Sequence, residues 1–262
     1  MILQLIRSLN NGAELRDIIP GILFTIIVVV FSLSFHEMAH AFAAYKLGDP
    51  TARNMGRLSL NPAKHLDPFG SICMMLVGFG WAKPVPINTR NFKKPRRDMA
   101  VSAAAGPVSN LIISLVSLVL FYLVMILLRP AFGNLFAFVP DLATPFYYSP
   151  AYILKVYAEL SLEVSIADKI LLFTADLLAA FHILNLYLAV FNLIPVPPLD
   201  GSKILYMFIP SKIYFKIQQY EQIIYYVLIA LLLTGALSGF LSNACLYISE
   251  GMSFIVKLIP GL

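Results

Sequence analysis

The feature that most constrains this chain is the length of its uncharged runs. Met99 to Leu128 contains no Asp, Glu, Lys or Arg, and neither does Gln222 to Ser249 or Ile18 to Phe35. A helix of about 20 apolar residues crosses the hydrocarbon core of a bilayer, so each run is long enough to span. A fourth segment, Ile170 to Ile194, is equally apolar except for Asp176, His182, Asn185 and Asn192. Composition removes the alternatives. Of 262 residues, 59% are hydrophobic and 13% charged, with a mean hydropathy of +0.80, whereas soluble domains carry about 25% charged residues. That charge cannot coat a globule, so a water-soluble fold, disorder and coiled coil are excluded. Cys73 and Cys245 do not make a disulfide framework. The expected fold is an all-α polytopic membrane protein with about four full transmembrane helices. It forms one integral membrane domain over 1–262, with its core in 18–201 and a C-terminal transmembrane helix at about 222–249.

Two shorter stretches have other expected roles. Phe69 to Gly80 is apolar but too short to cross, which suits a re-entrant segment. Gly78 to Arg90, which contains Gly-Phe-Gly-Trp81 and Pro84-Val-Pro86, reads as an extended β-hairpin. Such backbone survives at membrane depth only where protein or a watery cavity covers it. Tyr152 to Ile166, with Lys155, Glu159 and Glu163 on one side, reads as an interfacial helix. Met1 to Arg16 lacks a cleavage pattern, so the first span is expected to be retained.

The net charge of +5 is a topology signal rather than a nucleic-acid footprint. The stretch from Lys46 to Asp98 holds ten basic residues against Asp49, Asp67 and Asp98. The positive-inside rule places this loop in the cytoplasm and both termini outside, in a multi-pass protein of the plasma membrane. The Lys93–Arg97 cluster reads as a topology anchor, with anionic lipid contact as its extra role.

His36-Glu37-Met38-Ala39-His40 carries the sharpest chemistry. Residues four apart share a helix face, so two imidazoles can hold one zinc ion while the adjacent glutamate serves as general base. Three ionisable groups within one turn of an apolar helix are costly to bury unless used. Zinc needs a third protein ligand, and depth selects among His65, Asp67, Cys73, Asp176, His182, Asp200 and Cys245. His36 lies about 27 Å along its helix from Ile18, towards the cytoplasmic side. The end of the third span reaches that level, so Asp200 is the best third ligand. Pro195, Pro197 and Pro198 unwind the chain before it, and Gly201 permits a tight turn behind it. His182 and Asn185 belong to a polar stripe facing the bundle, and His182 reads as an interhelical hydrogen-bonding group.

His36–His40, Ala105-Gly106-Pro-Val-Ser-Asn110 and Asn192-Leu-Ile-Pro-Val-Pro-Pro-Leu-Asp200-Gly201 resemble the three signatures of site-2 protease-type intramembrane zinc metalloproteases. The compact branch without a PDZ domain is most similar. The resemblance extends to Asn61-Pro-Ala-Lys-His-Leu-Asp-Pro68 and Gly80-Trp-Ala-Lys-Pro-Val-Pro86, covering roughly Phe31 to Gly201. It implies one Zn2+ per chain on His36, His40 and Asp200, with Glu37 and Asn192 catalytic, the latter stabilising the oxyanion. It further implies substrate contacts at Gly106, Asn110, Trp81 and Pro86. The implied activity is endoproteolysis of transmembrane or signal-peptide-like substrates, near the cytoplasmic face and within lipid. No nucleic-acid partner is expected. A transporter would show repeats and paired broken helices, and neither is found. An inactive membrane-protein-binding relative would have lost a ligand or the base, and none is lost.

Overall fold

The computed structural model describes residues 15–70, 82–139, 144–146, 150–159 and 163–259. In chain order the helices are α1 (Leu15–Lys46), α2 (Thr51–Asn54), α3 (Pro95–Phe138), α4 (Pro150–Glu159), α5 (Ile166–Asn192), α6 (Asp200–Leu205), α7 (Ser211–Gln219), α8 (Glu221–Leu233) and α9 (Ser238–Lys257). Short 3₁₀ turns lie at Pro62–Lys64 and Thr89–Asn91. Three helices are long and apolar enough to cross a membrane, within Leu23–Lys46, Pro95–Phe136 and Ile166–Asn192. Counting the α8–α9 pair as one span gives four. The chain is therefore an all-α, multi-pass membrane protein.

One sequence expectation changes in detail. The run from Gln222 to Ser249 is a broken helix rather than a continuous one. Gly235 adopts a left-handed φ of +74°, and the Gly235 N–H bonds to the Leu232 carbonyl at 3.1 Å while Ala236 N–H bonds to Leu231 at 3.0 Å. That pattern closes α8. Helix α3 extends past the Met99–Leu128 run and through Pro130 to Phe138, with Phe132 and Phe136 buried there.

The chain divides into two compact units, Met1–Asn110 with Leu188–Gly239, and Leu111–Tyr187 with Phe240–Leu262. The second holds the main apolar core. Leu118, Phe121, Leu128 and Phe132 of α3 pack there with Leu172 and Ala175 of α5 and Ile153 of α4. The α4 segment thus docks one face on α3, where the Tyr157 hydroxyl donates to the Ala131 carbonyl at 2.7 Å. Lys155 and Glu159 stay exposed.

The first unit depends on small residues. Lipid tails are as apolar as leucine, so helices associate there by close packing. Ala41 and Ala44 of α1, Ala52 of α2 and Ala103 of α3 are buried for that reason. The end of α1 is set by a Schellman turn in which Gly48 (φ +107°) donates to Tyr45 at 3.1 Å and Asp49 N–H donates to Ala44 at 2.9 Å. The fully buried Asp49 carboxylate then accepts from Thr51 N–H (3.1 Å), Thr51 Oγ1 (2.5 Å), Asn88 N–H (2.7 Å) and Asn91 Nδ2 (2.7 Å). Burial pushes this carboxyl upward, but its four donors outweigh that and hold it below the ordinary carboxylate range.

The expected re-entrant segment falls mostly on residues 71–81, including Cys73 and Trp81, which lie outside the described residues together with the start of the expected hairpin. Residues 82–90 hold no strand, and the two shoulders of 71–81 pair through a single bridge. Leu66 and Ala82 form an antiparallel bridge, and Lys83 N–H donates to the His65 carbonyl at 2.7 Å. The Asn61–Pro68 motif builds one shoulder. Asn61 caps the 3₁₀ turn through Ala63 N–H at 3.0 Å, and the buried His65 ring bonds to the Ser59 carbonyl at 2.6 Å.

Candidate metal centre

His36 and His40 project from one face of α1, as their spacing predicts, and Asp200 reaches them from the first turn of α6. Their donor atoms form a nearly equilateral triangle. His36 Nε2 and His40 Nε2 are 3.0 Å apart, and Asp200 Oδ2 lies 3.2 and 3.1 Å from them. All three residues are buried.

The hydrogen bonding around the triangle states what belongs inside it. His40 Nδ1 lies 2.7 Å from the Ser102 carbonyl, which only accepts, so Nδ1 carries the proton. In the neutral ring Nε2 therefore presents a lone pair, the orienting device common to metal-bound histidine. His36 Nδ1 has no partner among the described residues. Two imidazole nitrogens and a carboxylate oxygen thus converge with electron pairs to offer. Bonds of about 2.0–2.1 Å to a tetrahedral zinc place ligand atoms about 3.3 Å apart, close to the spacing observed. The residues fit the ion.

Local sequence explains how the triangle is packed. Gly106 of α3 lies directly beneath the rings, where an added Cβ would stand 2.3 Å from His40 Nε2 and 2.6 Å from His36 Cε1. Only glycine leaves that room. Behind Asp200, the chain leaves α5 through Pro195, Val196 and a cis Pro197–Pro198 bond, and Leu199 N–H donates to the Val196 carbonyl at 3.0 Å. A Cβ on Gly201 would stand 2.4 Å from the Leu193 and Ile194 carbonyls, so glycine lets α6 begin against the last turn of α5. Asp200 uses its second oxygen as well, since Lys203 Nζ lies 3.2 Å from Oδ1.

Glu37 is half-buried beside the triangle and outside it. Its Oε2 accepts from the Val85 N–H at 3.2 Å, and its Oε1 has no hydrogen bond among the described residues. Asn192 sits at the end of α5 and donates from Nδ2 to the Leu188 carbonyl at 2.9 Å. Asn110 is fully buried one turn beyond Gly106, and neither side-chain polar atom has a partner among the described residues. Pro86 is partly buried in the segment that contacts Glu37. The His65 ring bonds to the Ser59 carbonyl, and the His182 ring to Ser114 and Ser249. Sequence reasoning did not find the Ser102 carbonyl, the Val85 N–H or Lys203. The first two are backbone groups with no residue-type signature, and Lys203 was recoverable from its position one turn after Asp200.

A His-Glu-x-x-His helix, a buried aspartate and an apolar multi-helix scaffold together define a membrane-embedded metallopeptidase. The model of Peptidase family M50 matches residues 24–235, and the chain belongs to that family. It is 37% identical over 214 residues to the "Putative zinc metalloprotease YwhC" of Bacillus subtilis, covering 80% of each chain. It is 32% identical over 94 residues to the "Putative zinc metalloprotease Rip2" of Mycolicibacterium smegmatis, covering 34% of this chain and 36% of that one. No solved structure matches the chain. The protein is a multi-pass membrane zinc metalloprotease.

Proposed function

We propose that this protein hydrolyses peptide bonds within transmembrane segments of other membrane proteins, or of signal-peptide-like chains, near the cytoplasmic face of the plasma membrane. The observation that carries the reading is the triangle of His36 Nε2, His40 Nε2 and Asp200 Oδ2 with Glu37 beside it. The location is supported by the ten basic residues between Lys46 and Asp98.

In this reading His36, His40 and Asp200 hold the zinc ion. Zinc supplies Lewis acidity there, activating water and polarising the scissile carbonyl. Glu37 is the general base. The Val85 N–H anchors Oε2, leaving Oε1 to take a proton from the attacking water and deliver it to the amide nitrogen as the C–N bond breaks. Asn192 releases its bond to Leu188 and donates to the developing oxyanion. A membrane helix hides its carbonyls in internal hydrogen bonds, so the substrate unwinds locally and pairs as a strand along the 69–90 region. Gly106, Asn110, Trp81 and Pro86 border its path.

Glu37→Gln tests this directly, because it removes the base without removing a ligand. Purified Glu37→Gln is expected to keep about one zinc per chain while turnover of a helical membrane substrate falls about 10²- to 10⁴-fold. Turnover equal to the parent would exclude Glu37 as base. Zinc loss in that variant would make it a ligand.

A further inference from the structure

Glu37 meets a peptide group that a buried guanidinium grips from the other side, and we propose that Arg57 is the positioning residue for the general base. The proposal rests on the reading of Glu37 given above.

Local sequence sends Arg57 inward. Helix α2 ends in a Schellman turn, with Gly56 at φ +67° donating to the Arg53 carbonyl at 2.9 Å and Arg57 N–H donating to Ala52 at 2.8 Å. Arg57 itself is buried, 6% exposed. Its Nη1 donates to the Pro84 carbonyl at 3.2 Å and its Nη2 to the Lys83 carbonyl. Both acceptors are neutral backbone oxygens, so the buried charge is held without a carboxylate at either contact. Such burial is expensive, and filling the same space with an apolar side chain would cost less. The guanidinium contributes something a hydrocarbon cannot, a rigid two-pronged donor that fixes two successive carbonyls.

The second of those carbonyls decides the matter. Pro84 C=O and Val85 N–H are the two ends of one planar trans peptide group, pointing in opposite directions. Arg57 holds the oxygen and Glu37 Oε2 holds the hydrogen at 3.2 Å. A cation at one end and a carboxylate at the other polarise the group in the same sense, which strengthens both bonds. The flanking residues stiffen it further. Pro84 has a fixed φ, and Pro86 confines Val85 to extended backbone. His65 completes the brace by accepting from Lys83 N–H at 2.7 Å. Arg57 therefore sets the direction of the single N–H between two prolines, and that N–H sets the carboxylate of Glu37.

Arg57→Ala in the full chain, reconstituted with a helical membrane substrate, tests the arrangement. The expected result is a kcat about 10- to 100-fold lower, an unchanged KM, undiminished zinc per chain and faster hydrogen exchange at the Val85 amide. Free guanidinium ion should restore part of the lost kcat. Arg57→Lys keeps the buried charge but secures one carbonyl at a time, so it should show a smaller kcat loss with the same exchange signature. It carries the test if the alanine variant fails to accumulate. A kcat within twofold of the parent in either variant overturns the proposal, as does a kcat loss matched by zinc loss or by a lowered unfolding temperature. Unchanged Val85 exchange also overturns it. The exchange measurement reads the Val85–Glu37 contact and not whether Glu37 acts as base. Full turnover in Glu37→Gln with fast Val85 exchange in Arg57→Ala would therefore sink the base assignment and leave the clamp standing.

Discussion

His40 and His182 are both buried imidazoles on membrane-spanning helices, and both bond through Nδ1 to a serine. His40 Nδ1 meets the Ser102 carbonyl at 2.7 Å. His182 Nδ1 meets Ser114 Oγ at 2.8 Å and the Ser114 carbonyl at 3.0 Å. They part at Nε2. His182 Nε2 faces the Ser249 hydroxyl at 2.7 Å, a group able to donate to it, so the ring is complete. His40 Nε2 faces another imidazole nitrogen and a carboxylate oxygen, an arrangement of acceptors that a cation completes. A buried histidine thus becomes a metal ligand or a structural clasp according to whether its second nitrogen meets a hydroxyl or another lone pair. Residue type alone does not separate the two.

The largest expected effect lies on the acceptor side. Asp200→Ala should reduce zinc well below one per chain and lower turnover roughly 10³-fold or more, checked by metal analysis and cleavage assay. Unchanged zinc would give the third position to another residue. Gly106→Ala should come next, since its methyl group would occupy space 2.3 Å from His40 Nε2. Displacing the rings should cost about 10²-fold in turnover, and an alanine variant with parental kcat would show that the rings are not seated against α3. His182→Ala is the reciprocal experiment. It removes the ring partner of the Ser249 hydroxyl, while Ser114 Oγ keeps its bond to the residue-182 carbonyl, and should cost about 1–3 kcal/mol in unfolding free energy while leaving zinc content unchanged. Zinc loss there would erase the distinction between the two histidines. The smallest effect is at Asp49. Its lowered carboxyl contributes stability that is complete above the unfolded value near about 3.9 and is lost as the pH falls through the folded value. Asp49→Asn should therefore destabilise by about 1 kcal/mol at pH 7, and the difference from the parent should narrow in acid. Unfolding midpoints measured across pH 3–7 in detergent check the sign.

The parts of the site legible in the sequence were those written in residue type and period. His36 and His40 announce themselves by spacing, Asp200 by its level in the bilayer, Gly201 as the turn residue behind it, and Gly106 through the family resemblance. The spans were legible because uncharged length is a bulk property that no tertiary contact reverses. The parts that stayed hidden are contacts with backbone. The Ser102 carbonyl and the Val85 N–H would be supplied by any residue at those positions, so composition says nothing of them. Arg57 was counted among ten basic loop residues for orientation, and its burial depends on a turn at Gly56 and on carbonyls 26 and 27 residues away. The break at Gly235 was half-visible. Gly235 and Gly239 stand within the last apolar run, but the positive φ that splits it is a backbone choice glycine permits and does not demand.

Glu37 and Asp49 lie on opposite sides of the α1 terminus, and together they turn that helix into a gauge. Glu37 holds Val85, while Asp49, just past the last turn, holds Asn88 and Asn91 of the same returning strand of chain. Two grips on one segment agree only if the helix between them has the right number of residues. Inserting one residue between His40 and Gly48 would turn the far grip by about 100° and shift it about 1.5 Å, yet leave His36 and His40 on their shared face. On the proposed reading of His36, His40 and Glu37, the length of α1 beyond His40 is part of the catalytic geometry, a distance standard for where the loop meets the base.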